Sequence, residues 1–226
     1  MRHPEQRIRN EVMALKRQYI RRVAVMTIGI IIMAFGIVLF KLALMGNDPS
    51  TAMVIAIGNR VGIDFSIILI GMNCIWFLVE LIWNRKLIGI GTFVNWFLVG
   101  PLASLYERAI KGIIPDTLVV RIVLVILGIL VLSLSCALYQ TSDVGIAPYD
   151  ALSITLSERT GKKYFWCRIL TDSICVVIAW ALGGIIGVGT LICALGLGPF
   201  IQFFTDHVAK PLINGSKTIR KNIQEE

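Results

Sequence analysis

Charge is scarce in this 226-residue chain: Asp, Glu, Lys and Arg together make up 16%, against about a quarter in a soluble globular protein. Histidine occurs only as His3 and His207, near the two ends, which excludes a histidine-based catalytic or zinc site. The five cysteines, Cys74, Cys136, Cys167, Cys175 and Cys193, form no CxxC pair and lie inside or beside apolar segments. They read as small buried hydrophobes, and neither a disulfide framework nor a metal site is expected. No HExxH string, Ser/His pairing or close carboxylate pair is present, so the chain does not read as an enzyme. No cofactor motif stands out either.

What is present is apolar. Hydrophobic residue types make up 56% of the chain, in several uncharged runs of about twenty residues, the length that crosses a ~30 Å hydrocarbon layer. The net charge of +8 sits at the ends of these runs rather than on a polar surface, which argues against a nucleic-acid partner. The chain therefore reads as an all-α, multi-pass membrane protein whose first partner is the lipid bilayer.

Four apolar runs are plain: Val23 to about Met45, Ser66 to Trp83, Leu87 to Tyr106, and Ile122 to Gln140. A fifth begins near Phe165 and carries Arg168 and Asp172. The 33 uncharged residues from Ser173 to Thr205 would make one helix of ~50 Å, so they divide into two crossings, with Gly183, Gly184 and Gly187 at the bend. Six crossings result. Residues 1–22 hold seven Lys or Arg and no cleavage site follows, so they read as an uncleaved, amphipathic cytoplasmic arm on the anionic leaflet. With both termini inside, 17 basic residues face the cytoplasm and five the other side, in accord with the positive-inside rule.

The chain also repeats itself. A shift of 99 residues aligns Arg22 with Arg121, Gly29 with Gly128, Gly46 with Gly145, Pro49 with Pro148, Ala52 with Ala151, Arg60 with Arg159 and Gly62 with Gly161. At a shift of 98, Ile88-Gly-Ile-Gly-Thr92 aligns with Ile186-Gly-Val-Gly-Thr190 and Gly100-Pro101 with Gly198-Pro199. Each unit holds three crossings, so the second copy enters the membrane from the opposite side, an inverted-topology repeat. The organisation expected is a basic arm over 1–22, a first repeat over 23–106, an outer linker over 107–121, a second repeat over 122–206, and a cytoplasmic tail over 207–226. The Gly-x-Gly-Thr strings lack the Lys-Ser/Thr of a phosphate loop and read as close-packing sites between backbones.

Each unit also contains a short helix opened by proline, Pro49 to Arg60 and Pro148 to Arg159, too short to cross a membrane. Two readings stand: surface connectors, or re-entrant helices whose N-terminal amides point at a central cavity. Gly145-Ile-Ala-Pro-Tyr-Asp-Ala-Leu152, Thr160-Gly161, Gly187-Val-Gly-Thr190 and Gly198-Pro199 resemble the YczE/YyaS/YitT family of integral membrane proteins. That family's pattern runs Gly-x-Gly-Pro-Trp-Asp, Thr-Gly and Gly-x-Gly-Thr. This chain departs from it at Ala147 and Tyr149, and its first half, with Asp48-Pro49-Ser50-Thr51, matches less well. The resemblance implies a bacterial inner-membrane protein and no particular substrate.

Polar side chains at bilayer depth are costly and mark candidate sites. Asp172 aligns with Asn73, and Asp150 with Thr51, so Thr51, Asn73, Asp150 and Asp172 form a candidate substrate-binding cluster, with Arg168 as partner of Asp172 at the i to i+4 spacing. Asp48 and Asp143, with Lys41, are counted nearby. The competing reading makes Asp172 and Arg168 an interfacial ion pair and Asp150 a helix cap. Glu80, close to a helix end, is expected to snorkel or to meet Arg85. Trp76, Trp83, Trp96, Trp166 and Trp180 fit interfacial belts and packing. Together these features suggest a small-solute transporter, cationic or proton-coupled, working by alternating access. The alternative is a non-transporting scaffold or regulator acting through protein partners. Self-association is left open.

Overall fold

The structure, a computed structural model, describes residues 4–213. His3, Lys217, Arg220 and Lys221 lie outside the described residues. Eight α-helices and no strand are present among the described residues: α1 (Pro4–Ala43), α2 (Pro49–Val61), α3 (Phe65–Trp83), α4 (Ile90–Ile110), α5 (Leu118–Thr141), α6 (Pro148–Thr160), α7 (Tyr164–Ala181) and α8 (Val188–Phe204). One π-helical turn, Thr205–Ala209, carries the last helix onward to residue 213, past the boundary expected at 206.

Among the described residues five segments are long and apolar enough to cross a membrane: Val12–Ala43, Phe65–Trp83, Leu118–Thr141, Tyr164–Ala181 and Val188–Ile213. Helix α4 is long enough at 21 residues, but it carries Asn95, Pro101, Glu107 and Arg108 and is the least apolar of the long helices after α1's start. The 33-residue uncharged run divides at Leu182 to Gly187, as its glycines predict. The arm continues directly into the first span: α1 runs unbroken for 40 residues from Pro4, and no proline or glycine pair between them supplies a kink.

Helix α1 packs along α5 at the centre, with α4 against α1 and α8 against α5. The glycines explain how closely. A methyl group on Gly29 would meet the backbone of Ser135 and Tyr139 at about 3 Å, and one on Gly36 would meet the backbone of Leu132. Between the two halves the short helices cross over: α2 packs on α7 and α6 packs on α3. The Gly-x-Gly-Thr strings join the halves as well. Gly91 donates to the Val144 carbonyl at 2.9 Å, and Gly189 donates to the Met45 carbonyl at 2.9 Å. Gly46, with φ +99°, and Gly145, with φ +125°, lie against Gly187 and Gly89 respectively, where any side chain would strike backbone.

Two ends of the bundle can be told apart by their ion pairs. Lys41 pairs with Glu107 at one end, and Arg22 pairs with Asp143 at 3.0 Å at the other. In the turn before α5, Asp116 accepts hydrogen bonds from Arg121 at 2.7 and 2.9 Å, which hold its carboxyl below the usual carboxylate range.

Candidate functional site

The two short helices begin the same way and end the same way. Each opens on proline, whose missing N–H costs nothing in a first turn, and each stops at a left-handed glycine, Gly62 at φ 72° and Gly161 at φ 66°. Their N-termini are buried, not on the surface: Pro49, Ser50 and Thr51 in α2, and Pro148, Tyr149 and Asp150 in α6. Both face one cavity of about 80 Å³. Met33 and Ile37 of α1, Asn73 of α3, Val99 of α4 and Leu132 of α5 also line it. Asn73, Val99 and Leu132 stand near the middle of their helices, and Met33 and Ile37 in the apolar stretch of α1 that runs from Val23 to Ala43, so the cavity lies at mid-height in the bundle. Of the two readings open from sequence, the buried, inward-pointing one describes this geometry.

The polar walls come from both halves of the chain. Arg168 on α7 is held between two carboxylates, paired with Asp150 and with Asp172, whose carboxylate lies 3.2 Å from its Nε. Its guanidinium also sits 4.9 Å from the centre of the Tyr149 ring, and the Tyr149 hydroxyl donates to Asp172. Tyr149 in turn packs on Trp76 at 4.8 Å between ring centres. The side chains of Asp150 and Asp172 are 8% and 2% exposed, so this is a buried triad with its charges matched two to one rather than an interfacial pair. Opposite it, Asp48 caps α2: its Oδ1 accepts from the Thr51 N–H at 3.1 Å. Its Oδ2 is buried and has no partner among the described residues. Asn95 on α4 donates only a weak bond to the Met33 sulfur at 3.5 Å.

Thr51, Asn73, Asp150 and Arg168 therefore line one cavity, and Asp172 stands behind Arg168 as its second counter-ion. Arg168 and Asp172 also border a cleft of about 360 Å³ between α7 and α8, beside Lys163, Cys193 and Gln202. Two residues counted near the site are elsewhere. Asp143 is 83% exposed and held by Arg22, and Lys41 is held by Glu107 beside the Phe65 ring at 4.5 Å. Each lies at a bundle end because it precedes or follows the turn that carries the chain back inward. Tyr149, Trp76 and Asn95 are additions. Tyr149 was visible as the aromatic in Pro-Tyr-Asp, but Trp76 shares with the belt tryptophans Trp83, Trp166 and Trp180 a composition that says nothing of which way it faces. In fact those three are exposed while Trp76 and Trp96 are buried.

The buried positions of α3 and α7 correspond. Asn73, Trp76 and Glu80 form one stripe with Phe65 and Leu69, and Asp172, Cys175 and Ala179 occupy the same stripe 99 residues on. Glu80 contradicts expectation. It neither snorkels nor meets Arg85, being 1% exposed with both carboxylate oxygens unpartnered among the described residues, while Arg85 bonds the Leu81 carbonyl.

Residues 20–206 match the family of unknown function DUF6198. The chain belongs to this family. It is 26% identical over 194 residues to an uncharacterized protein of Haemophilus influenzae, covering 84% of this chain and 86% of that one. It is 25% identical over 192 residues to the uncharacterized membrane protein YczE of Bacillus subtilis, covering 84% and 87%, and 22% identical over 191 residues to YyaS of the same organism, covering 84% and 95%. No solved structure matches the chain. The matched region spans every residue that lines the cavity, and one of these relatives is named as a membrane protein.

Proposed function

We propose that the protein is a six-helix inverted repeat in the bacterial inner membrane, both termini cytoplasmic, that moves a small cationic or proton-coupled solute by rocking one half against the other. One observation carries the reading: the N-termini of two short helices, one from each half, converge on a single mid-height cavity with an unpaired buried carboxylate oxygen of Asp48. Helices broken in this way at matching positions of two repeats are how many carriers build a midplane site.

The charge arrangement favours a cation. Arg168 is committed to Asp150 and Asp172, so the charged group left facing the cavity without a counter-ion is the Asp48 carboxylate, beside the Ser50 and Thr51 hydroxyls and the Asn73 and Asn95 amides, which can both donate and accept. Helix N-terminal amides at the same place temper that preference, and a solute with both an ammonium and an anionic group suits the whole lining. Every lining residue but Arg168 is buried, and 80 Å³ holds a few waters or a small ion, so this is a closed form. The α4 polarity that sets it apart from the five plain spans suits a helix facing such a cavity with Asn95.

The test is side-specific thiol labelling in a cysteine-free background, with Thr51→Cys or Ala147→Cys, two cavity positions that leave the triad intact. Reaction of each with an impermeant reagent applied from either face supports the reading. Reaction of each from one face only refutes it and points to the scaffold alternative. In a flux assay Asp172→Asn abolishes coupled transport without loss of folded protein.

A further inference from the structure

Glu80 lies outside the cavity described above, on the stripe of α3 that packs against α6. Both its oxygens are fully covered by protein and accept no hydrogen bond among the described residues. Its neighbourhood can be placed from both sides. Toward the middle, Trp76 packs on Tyr149 of α6. Toward the helix ends, Arg159 donates to the Trp83 carbonyl at 3.1 Å and lies 5.1 Å from the Trp83 ring centre, and Asn84 donates to Glu158 at 2.7 Å. Between these contacts α6 presents Thr155, 2% exposed, whose hydroxyl is likewise buried without a partner.

The corresponding crossing of the other half shows what this one does not need. At the offset of 99 residues Glu80 corresponds to Ala179 and Thr155 to Ala56. Those two alanines belong to one apolar cluster where α2 meets α7. Small apolar residues therefore suffice to pack such a crossing, and a carboxyl and a hydroxyl in their place serve something other than packing. Among the described residues no cation neutralises Glu80. Arg85 is spent on the Leu81 carbonyl and Arg159 on Trp83, Lys86 sits in the exposed turn after α3, and Glu158 adds only like charge. Helix α4 brings no ionisable group before Tyr106 and Glu107 at the far end, and α2 brings only Arg60, exposed at its distal end. An ionised carboxylate with no donor and no counter-ion in a protein interior is not sustainable, so in this closed form the group is the neutral acid.

We infer that Glu80 is the proton-coupling site: it holds a proton while α3 and α6 are latched by Arg159, Trp83, Asn84 and Glu158, and releases it only when those helix ends part and admit water. This rests on the rocking-carrier reading and names its coupling ion. The proton leaves from the carboxyl oxygen to water, and the unpartnered Thr155 hydroxyl is the other polar group of this crossing. The solute site and the proton site are then separate, joined through Trp76, which touches Tyr149 at one side and stands one turn from Glu80 at the other.

Dicyclohexylcarbodiimide tests the protonation directly on the unaltered chain. The acid proton moves to one carbodiimide nitrogen, the carboxyl oxygen bonds the central carbon, and the acyl group then migrates to nitrogen as a stable N-acylurea. The expected result is an adduct mapped by mass spectrometry to Glu80, abundant in mild acid and fading as pH rises. An absent adduct, or one insensitive to pH, overturns the inference. The second measurement places a cysteine at Thr155 in a cysteine-free background and divides its rate of thiol modification by that of the same cysteine with Glu80→Gln, which cancels thiol ionisation. Opening that must release one proton makes this ratio rise about tenfold per pH unit below the titration range. A flat ratio overturns the inference. Neither readout uses a solute. A silent Glu80 with two-sided labelling at Thr51 and Ala147 overturns this inference alone, whereas one-sided labelling there overturns the carrier reading whatever Glu80 does.

Discussion

Replacing Arg168 by Gln removes the one cation between two carboxylates that are 8% and 2% exposed. Removing one partner of a buried ion pair typically costs about 3–5 kcal/mol, because the remaining charge is left uncompensated. For a chain of this length that corresponds to a melting temperature lower by about 6–20 °C, at roughly 2–4 °C per kcal/mol. The triple variant Asp150→Asn, Arg168→Gln, Asp172→Asn removes all three charges together and should recover to within about 1 kcal/mol of the parent, since neutral replacement of a whole buried network is often tolerated. Thermal unfolding in detergent, followed by tryptophan fluorescence, reads the difference, and Trp76, packed on Tyr149, reports from beside the triad. A shift under about 2 °C for Arg168→Gln, with no recovery in the triple variant, would mean that the carboxylates are hydrated and the cluster is not the dry triad described. Lys at 168 keeps the charge but not the two-sided reach of a guanidinium, so it should fall between the two.

Asp48→Asn keeps the cap on Thr51 and should leave stability unchanged while weakening solute binding, whereas Asp48→Ala should also lose about 1 kcal/mol of stability; equal binding by parent and Asn variant, in a titration with the transported solute, would remove Asp48 from the site. Gly46→Ala places a methyl group 2.7 Å from the Gly187 nitrogen at φ +99° and should abolish folded protein, while Gly62→Ala, with open space around it, should cost only the ~1–2 kcal/mol of left-handed strain. Size-exclusion profiles of the two variants decide this, and similar losses would mean that the Gly46–Gly187 contact is loose. Trp96→Phe removes the hydrogen bond from the indole to the Ile70 carbonyl at 2.8 Å and should lower stability by about 1–3 kcal/mol; no change in the unfolding midpoint would show that water already serves that carbonyl.

Much is legible in the sequence alone. Uncharged runs of bilayer length, and glycines at 183, 184 and 187, determine the membrane class and where α7 gives way to α8, because an apolar backbone in lipid must hydrogen-bond within a helix and glycine is where it turns. The repeat, with Pro49 and Pro148 in register, marks the two short helices, and Thr51, Asn73, Asp150, Asp172 and Arg168 stand out because polar groups inside apolar segments are costly. What sequence leaves open is direction. A 13-residue helix opened by proline has the same local chemistry on a membrane surface as inside it, and only the packing of α2 on α7 and α6 on α3 turns both N-termini toward one cavity. The same holds for single side chains. Spacing assigns Arg168 to Asp172, one turn away, yet its pairing with Asp150 depends on α6 crossing beside α7. Glu80, three residues from its helix end, has a reachable cation in sequence at Arg85, but Glu80 lies on the buried stripe of α3 and Arg85 turns to the helix carbonyl instead. Periodicity says which residues share a face; which face meets which neighbour is settled by packing between segments far apart in the chain, and local pattern carries no information about it.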